Sequence, residues 1–214
     1  MYFLMNTRGD VFSRSPHIYE NELENYNCGG YALGIYEWYM PYMLPYRAEN
    51  IYSECEYEAD YYDETDESDE AITARENFWY WEDNISEVID GFRELYYECF
   101  HTTVGEDDED YLAEWDSEDA VQLSVFNMLR QFKWLRRIDS WKELKKDEYG
   151  IVFGIGHGDF HFVRYEHGIY THKMGGGPIE VVSKWEEAFY CGWMTDMRYN
   201  LGHVFFAAKK EEYR

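Results

Sequence analysis

Apolar side chains recur every third or fourth position in three stretches of the chain, which is the spacing of one face of an α-helix. In residues 28–40 the pattern consists of Tyr31, Ala32, Ile35, Trp38 and Tyr39, and Pro41 follows it. Since proline cannot continue a helix, we expect the first helix to end there. The other predicted helices cover residues 71–100, in which Gly91 is a point where the helix bends or divides, and residues 117–133.

The pattern changes after residue 133 to short β-prone runs that are separated by glycine-containing turns. The predicted strands are residues 134–138, 149–156, 160–165, 169–172 and 204–208, and a short helix is predicted at Trp185–Phe189. Residues 1–25 are predicted to be an irregular or extended lead-in with Pro16 as a breaker. Helices followed by an antiparallel sheet are typical of the α+β class.

The length of the chain favours one domain with a single core. Its 214 residues are enough for a sizeable core, and no repeat or Gly/Ser-rich linker marks a boundary. We therefore predict a single α+β domain over residues 1–214, in which N-terminal helices pack on a C-terminal antiparallel sheet. Residues from about 50 to 133 are predicted to form an acidic helical insertion.

The chain is strongly acidic, with a formal charge of −25 from 44 acidic and 19 basic residues. This charge excludes direct binding of nucleic acid through phosphate contacts and disfavours anionic membrane surfaces. Acidic side chains are concentrated in residues 54–70 and 105–119, and the first block contains no Lys or Arg. We interpret both blocks as solvated, self-repelling loops. An alternative is that they imitate a nucleic-acid backbone or bind a basic protein partner.

The sequence favours a cytoplasmic protein without cofactors. It contains no apolar run long enough for a membrane span, and Met1-Tyr2-Phe3-Leu4-Met5 lacks the basic region of a secretory signal. The cysteines do not have the spacing of a zinc site or of a disulfide scaffold, so we expect free thiols. Histidines 157, 161, 167 and 172 lack a cysteine pair or an HExxH helix, so no metal is predicted either.

Cys28 is the best candidate for a nucleophile, because glycines follow it and it lies at the predicted start of a helix. The backbone N–H groups and the helix dipole there are expected to lower the pKa of the thiol. His161 lies in a predicted strand and alternates with Phe160 and Phe162, so we expect it to face a helix that presents Cys28. His172 on the next predicted strand is the first candidate to orient His161. The competing candidates for that role are Asp159, Glu166 and His167.

Two segments carry a family resemblance. Residues Asn27-Cys28-Gly29-Gly30-Tyr31-Ala32-Leu33 resemble the Asn-Cys-(Tyr)-x-Tyr-Ala-Leu segment of a group of bacterial and phage proteins. Residues 159–165 and 170–175 are similar to their Asp-Tyr-His-(Trp/Phe)-Tyr-Arg and Trp-Ser-His-Lys-(Pro)-Gly runs. Such proteins resemble the papain-like superfamily, which includes the NlpC/P60 peptidases. The resemblance implies a papain-like α+β fold.

The same resemblance implies roles for individual residues: Cys28 as the nucleophile, His161 as the base and His172 as the orienting residue. Papain itself places a Gln a few residues before its cysteine to help hold the oxyanion, and no Gln lies between Met1 and Cys28. Asn25, Asn27 or backbone N–H groups are the candidates for that task.

The expected function is therefore that of a cysteine-dependent hydrolase, a peptidase or amidase with an intracellular protein or peptide substrate, for example a phage or bacterial effector. Cleavage of cell-wall peptide is a second enzymatic interpretation, but anionic wall polymers would repel this charge. A non-catalytic alternative is an acidic inhibitor or nucleic-acid mimic that binds a basic protein cleft on a papain-like scaffold.

Overall fold

The computed structural model of the chain describes residues 2–5, 11–14, 26–35, 38–113, 117–156, 159–175, 177–189, 199 and 202–210. The helices are α1 (Cys28–Leu33), α2 (Pro45–Tyr61), α3 (Asp69–Phe100), α4 (Glu106–Ala113) and α5 (Glu118–Gln131). The strands are β1 (Tyr2–Met5), β2 (Val11–Arg14), β3 (Trp38–Tyr39), β4 (Leu135–Ile138), β5 (Glu148–Gly156), β6 (Asp159–Glu166), β7 (Ile169–Lys173), β8 (Ile179–Val182) and β9 (Gly202–Lys209). Short 3-10 helices lie at Trp141–Glu143 and Trp185–Phe189.

The predicted α+β class is confirmed. Helices are followed along the chain by an antiparallel sheet of six strands in the order β4-β9-β5-β6-β7-β8. Five of these strands agree with the predicted ones. The sixth, β8, was not predicted, because its mostly exposed residues lie at the sheet edge and lack a buried alternating face.

The six-stranded sheet is covered on both faces around β5, which is buried along its whole length. Phe153 and its partner Phe162 belong to the main core, which includes residues of α1, α3 and α5. We call the side of the sheet on which Phe153 and Phe162 lie the helix face. Val152 and its partner Val163 pack with Phe189 on the opposite side, the Phe189 face. Because side chains alternate along a strand, every residue of β6 is assigned to one of the two faces.

The first predicted helix is too long by several residues. The helix α1 ends at Leu33, because Gly34 adopts a left-handed conformation (φ 65°) and its N–H bonds back to the carbonyls of Gly30 and Tyr31. This is a common way to end a helix, and glycine adopts it without steric cost. The chain then forms the short strand β3, which pairs with β2 in a three-stranded sheet. Residues 1–25, predicted as an irregular or extended lead-in, contribute β1 and β2 to that sheet.

The other helices also correct the interpretation of the acidic blocks as loops. Residues 54–61 belong to α2 and residues 106–113 to α4. The helix α2 forms because its apolar stripe packs on α3, where Cys55 and Trp81 are buried and Tyr52 lies against Phe78. The predicted helices 71–100 and 117–133 are confirmed as α3, which continues through residue 91, and α5.

The helices α2–α5 occupy the region predicted as an acidic helical insertion at about 50–133. That this region interrupts a single domain remains our prediction. None of the described helices combines the length and the apolar character needed to cross a membrane.

Candidate active site

The start of α1 is fixed by the buried side chain of Asn27. Its Oδ1 accepts hydrogen bonds from the N–H of Gly30 at 3.0 Å and of Tyr39 at 3.1 Å, and its Nδ2 donates to the Tyr39 carbonyl at 2.7 Å. Asn27 is therefore the N-cap of α1 and also joins this helix to β3. No partner among the described residues accepts the second N–H of its amide, and the oxyanion role predicted for Asn27 stays a prediction. Asn25, the other candidate, lies outside the described residues.

Cys28 is the first residue of α1 and is only 6% exposed. Burial raises the pKa of its thiol from 9.0 to about 12, although the backbone N–H groups of Phe162, Gly29 and Cys28 itself act in the opposite direction. The predicted lowering of this pKa is therefore wrong. A helix of six residues offers little dipole, and desolvation of a thiolate in the core outweighs it. The resting thiol is neutral and needs a base.

The helix α1 lies on the helix face of the sheet. A Cβ at Gly29 would lie 2.9 Å from Cδ1 of Tyr39 and 3.3 Å from Cε2 of Phe162, so only glycine allows this close approach. The Tyr31 hydroxyl is also hydrogen bonded to Oγ1 of Thr171 at 2.7 Å. His161 alternates with Phe162 and lies on the Phe189 face. The expectation that α1 packs on the face of His161 is therefore wrong.

The Cys28 sulfur nevertheless lies close to the backbone of His161. The residue pairing of β6 with β7 ends at Val163 and His172, and the next N–H of β6, that of Phe162, lies in hydrogen-bonding reach of the sulfur. This N–H belongs to the peptide that joins His161 to Phe162. Because strand N–H groups lie in the plane of the sheet, the sulfur lies beside β6, just beyond the last residue pair of β6 and β7.

Two buried histidines form a hydrogen-bonded pair on the Phe189 face. The distance between Nε2 of His161 and Nδ1 of His172 is 3.1 Å, and the two rings are 2% and 5% exposed. Across β7 and β8, Nε2 of His172 lies 3.6 Å from Oε2 of Glu180. Burial lowers the pKa of His172, and the charge of Glu180 only partly opposes this. His172 is therefore neutral near pH 7 and carries one ring proton.

The position of that proton follows from the groups around it. A carboxylate at Nε2 of His172 favours the proton on this nitrogen, which leaves Nδ1 as an acceptor for the Nε2–H of His161. In neutral His161 the other ring nitrogen, Nδ1, is then the atom that accepts a proton. The order Glu180, His172, His161 thus favours the tautomer in which Nδ1 of His161 is the acceptor.

Aromatic residues hold the His161 ring in place. Tyr199 is stacked on it with ring centroids 5.4 Å apart, and Phe189 contacts it edge-on at 5.7 Å. The Tyr199 hydroxyl donates to Oδ2 of Asp159 at 3.1 Å, and Oδ1 of Asp159 accepts from the Phe160 N–H at 2.8 Å. Asp159 therefore fixes Tyr199, which in turn fixes His161.

Of the four residues considered for orienting His161, His172 is hydrogen bonded to its ring. Asp159 reaches it through Tyr199, as described above. Glu166 is paired with Arg164 at 2.9 Å and with Lys210 at 3.1 Å. His167 is an exposed residue of the β6–β7 turn with a φ of 53°.

Cys28 and His161 line a common pocket of about 240 Å³. The other described residues that line it are Asn27, Met40, Arg47, Asp159, Phe160, Met174, Gly175 and Tyr199. Sequence reasoning missed Arg47 and Tyr199, since neither belongs to a recognisable motif. It also missed Glu180, although its place between Ile179 and Val181 in a β-prone run was a usable signal.

Among the described residues, no group of three His, Cys, Asp or Glu side chains is arranged to hold a metal ion. No family model, curated protein or solved structure matches the chain.

Proposed function

We propose that the chain is a cysteine-dependent hydrolase, a peptidase or amidase in which Cys28 is the nucleophile, His161 the base and His172 the orienting residue. The observation that carries the proposal is that His161 lines the same pocket as Cys28, while its Nε2 lies 3.1 Å from Nδ1 of the buried His172. A buried pair of histidines beside a buried thiol is costly for stability alone, because three polar groups are desolvated together. A catalytic task explains why they are placed there.

The mechanism begins with a neutral thiol, since the pKa of Cys28 is raised to about 12. His161 removes the thiol proton, and the resulting imidazolium is stabilised by His172 and, through it, by Glu180. The thiolate attacks the carbonyl carbon, and the amine leaves with the proton from His161. Water then attacks the acyl-enzyme, releases the acid and restores the thiol.

The oxyanion of this reaction is best held by backbone N–H groups. Those of Cys28 and Gly29 already lie near the sulfur, at the start of α1. The second N–H of the Asn27 amide is the side-chain candidate. Fixed donors of this kind are effective because they need no reorganisation during the reaction.

The papain-like arrangement and the cytoplasmic location belong to the same proposal. A cysteine at a helix start, packed on an antiparallel sheet that carries the histidines, supports the papain-like fold. The described cysteines, Cys28, Cys55 and Cys99, are free thiols, which agrees with a reducing compartment and an intracellular protein or peptide substrate.

Alkylation by iodoacetamide, followed residue by residue with mass spectrometry, tests the activation of Cys28. Without a base, burial and a pKa of about 12 would make Cys28 react more slowly with iodoacetamide than the partly exposed Cys99. With His161 as its base, Cys28 is expected to react about tenfold faster than Cys99 at pH 7, and His161→Ala to slow it about 100-fold. The matched control is His167→Asn, which removes an exposed histidine of the β6–β7 turn and is expected to leave the rate unchanged.

Acyl transfer itself is tested with p-nitrophenyl acetate. We expect a burst of p-nitrophenol and one acetyl group on Cys28, and both are expected to disappear in Cys28→Ala and His161→Ala. A Cys28 that stays slower than Cys99 and accepts no acetyl group would overturn the proposal.

A second candidate function is the binding of a basic protein. The acidic block 54–61 lies on an ordered helix, and Tyr57 and Tyr61, at positions i and i+4 of α2, are 75% and 76% exposed. Exposed tyrosines among carboxylates suit a partner with Lys and Arg side chains. If charge reversal on α2 abolishes the biological effect and Cys28→Ala does not, binding is the better account. The reverse result supports catalysis.

A further inference from the structure

Arg47 is a cation that forms no ion pair with any carboxylate of the described residues, in a chain that has 44 acidic residues. It lies in the first turn of α2 and lines the same pocket as Cys28 and His161. Its Nε donates to the Tyr46 hydroxyl at 3.2 Å, and among the described residues its guanidinium forms no ion pair. Four other arginines are paired, Arg93 with Asp90, Arg130 with Glu98, Arg136 with Glu148 and Arg164 with Glu166. Arg75 and Arg137 also form no ion pair among the described residues, but neither lines this pocket.

A half-buried guanidinium is better stabilised with an anion than without one. Its planar fork of N–H donors matches a carboxylate in two parallel hydrogen bonds, and such bonds are stronger than neutral ones. Among the described residues no carboxylate forms an ion pair with Arg47, although Asp159 lines the same pocket, so the guanidinium is suited to an anion from a ligand. The apolar residues Met40, Phe160 and Met174 line the same pocket and suit an aliphatic stem.

We propose that this pocket selects acyl substrates that carry a carboxylate, with Arg47 binding that group; the inference rests on the proposed hydrolase function. A volume of about 240 Å³ is small for a ligand pocket and suits a single amino-acid residue. The substrate class is therefore a peptide or amide whose acyl residue bears one carboxylate. A formal charge of −25 repels anions at long range, so selection depends on the local contact with Arg47.

Two alkylating agents that differ only in charge test this inference. Iodoacetate and iodoacetamide have the same reacting carbon, and in both the Cys28 sulfur forms a bond to carbon while iodide leaves with the bonding electrons. The measured quantity is the ratio of the two rate constants for Cys28. We expect the ratio to fall about tenfold in Arg47→Met. In Arg47→Lys, which keeps the charge and loses the fork, a smaller decrease is expected.

The matched control is Arg93→Met, which makes the same change in net charge on exposed α3, away from the residues that line the pocket. Its ratio is expected to equal that of the unmodified protein. Equal ratios in Arg47→Met and Arg93→Met, with both variants folded by circular dichroism, would overturn the carboxylate selection.

A failure of the carboxylate selection can be distinguished from a failure of the hydrolase proposal. If Cys28 is selectively alkylated by iodoacetamide with dependence on His161, while Arg47→Met leaves the ratio unchanged, then the hydrolase stands and the selection does not. Protection is a second measurement: acetate is expected to slow the iodoacetamide reaction of the unmodified protein and to have no effect in Arg47→Met. Protection that persists in Arg47→Met would also overturn the inference.

Discussion

At the scale of single residues, the environment of Cys28 differs from what the sequence alone indicates. The motif around it predicts a helix start, and a helix start favours a thiolate. The fold places this residue in the main core, where desolvation is the largest influence on its pKa. Burial depends on the packing of Phe162 and Tyr39 from distant parts of the chain, and no local pattern contains that information.

The raised pKa of Cys28 makes stability depend on pH. In the unfolded chain the thiol ionises near its ordinary value of 9.0, whereas in the folded protein it ionises near 12. The neutral thiol therefore contributes stability that is fully present below pH 9 and is lost as the pH rises towards 12. One such group changes the free energy of unfolding by about 1.4 kcal/mol per pH unit in this window.

Urea unfolding of the protein and of Cys28→Ser between pH 8 and 11 checks this linkage. Other groups titrate in the same range, so the informative quantity is the difference between the two proteins. We expect the variant to lose less stability than the unmodified protein as the pH rises from about 9. Parallel pH profiles would contradict the assigned environment of the thiol.

Glu180 is expected to control the proton of His172. Its carboxylate raises the pKa of His172 against the larger effect of burial, so Glu180→Gln is expected to lower that pKa further. Nitrogen-detected NMR of the imidazole reports both the pKa and the protonated ring nitrogen. We expect Nε2 to carry the proton in the unmodified protein and this preference to weaken in the variant.

Slower alkylation of Cys28 in Glu180→Gln is expected to accompany the change in tautomer. The control is Glu94→Gln, which removes the same charge from an exposed position of α3. An unchanged tautomer and rate in Glu180→Gln would remove Glu180 from the chain of groups that orients His161.

At the scale of elements, the sequence predicts those helices and strands whose cause lies in residues that are neighbours along the chain. The strands β5, β6 and β7 were predictable because their turns and alternating residues are local signals. The extent of α1 was not, because the apolar spacing continues past Gly34 while the left-handed conformation of this glycine ends the helix. The helix α2 was hidden by its charge, since its stability comes from packing on α3.

The candidate site shows the same difference between local signals and tertiary contacts. Cys28, His161 and His172 could be proposed because each lies in a local motif. The face on which α1 packs depends on the fit of Gly29 between Tyr39 and Phe162, which is a tertiary contact. Local patterns thus name the reactive residues, and tertiary packing decides their protonation and their relative placement.

Asn27→Ala is expected to loosen the junction between α1 and β3. The variant loses the N-cap and leaves the N–H and carbonyl of Tyr39 without their partners from Asn27. The expected decrease in the free energy of unfolding is about 2–4 kcal/mol, measured by urea unfolding. Ser68→Ala is the matched control, because Ser68 caps α3 through a single bond to Ala71 and is expected to cost about 1 kcal/mol. Equal losses in both variants would show that Asn27 acts only as a cap.

At the scale of the whole molecule, charge and chemistry are separated along the chain. The acidic blocks belong to α2, the start of α3 and α4, whereas strands β4–β7 carry several Arg and Lys residues, including the paired Arg136 and Arg164. The candidate pocket has both signs of charge, from Arg47 and Asp159. Under the two proposed functions, a basic partner binds at the acidic helices and a substrate binds in the pocket that Cys28 and His161 line.

Repulsion between α2 and α3 is expected to limit the stability of the molecule. Burial raises the pKa of the Tyr52 hydroxyl, and the charges of Glu56 on α2 and Glu82 on α3 raise it further. Glu56→Lys replaces this repulsion with an attraction across the helix pair. We expect Glu56→Lys to raise the free energy of unfolding at 10 mM salt, and Glu56→Gln to raise it by a smaller amount.

Salt distinguishes this electrostatic effect from a change in helix propensity. At 0.5 M salt the Debye length falls to about 4 Å, so the gain in Glu56→Lys is expected to shrink to less than half, while the unmodified protein becomes more stable. Thermal unfolding at both salt concentrations measures the two changes together. A gain of equal size at low and high salt would assign the effect to helix propensity. In that case repulsion between α2 and α3 would not lower the stability of this protein, despite its formal charge of −25.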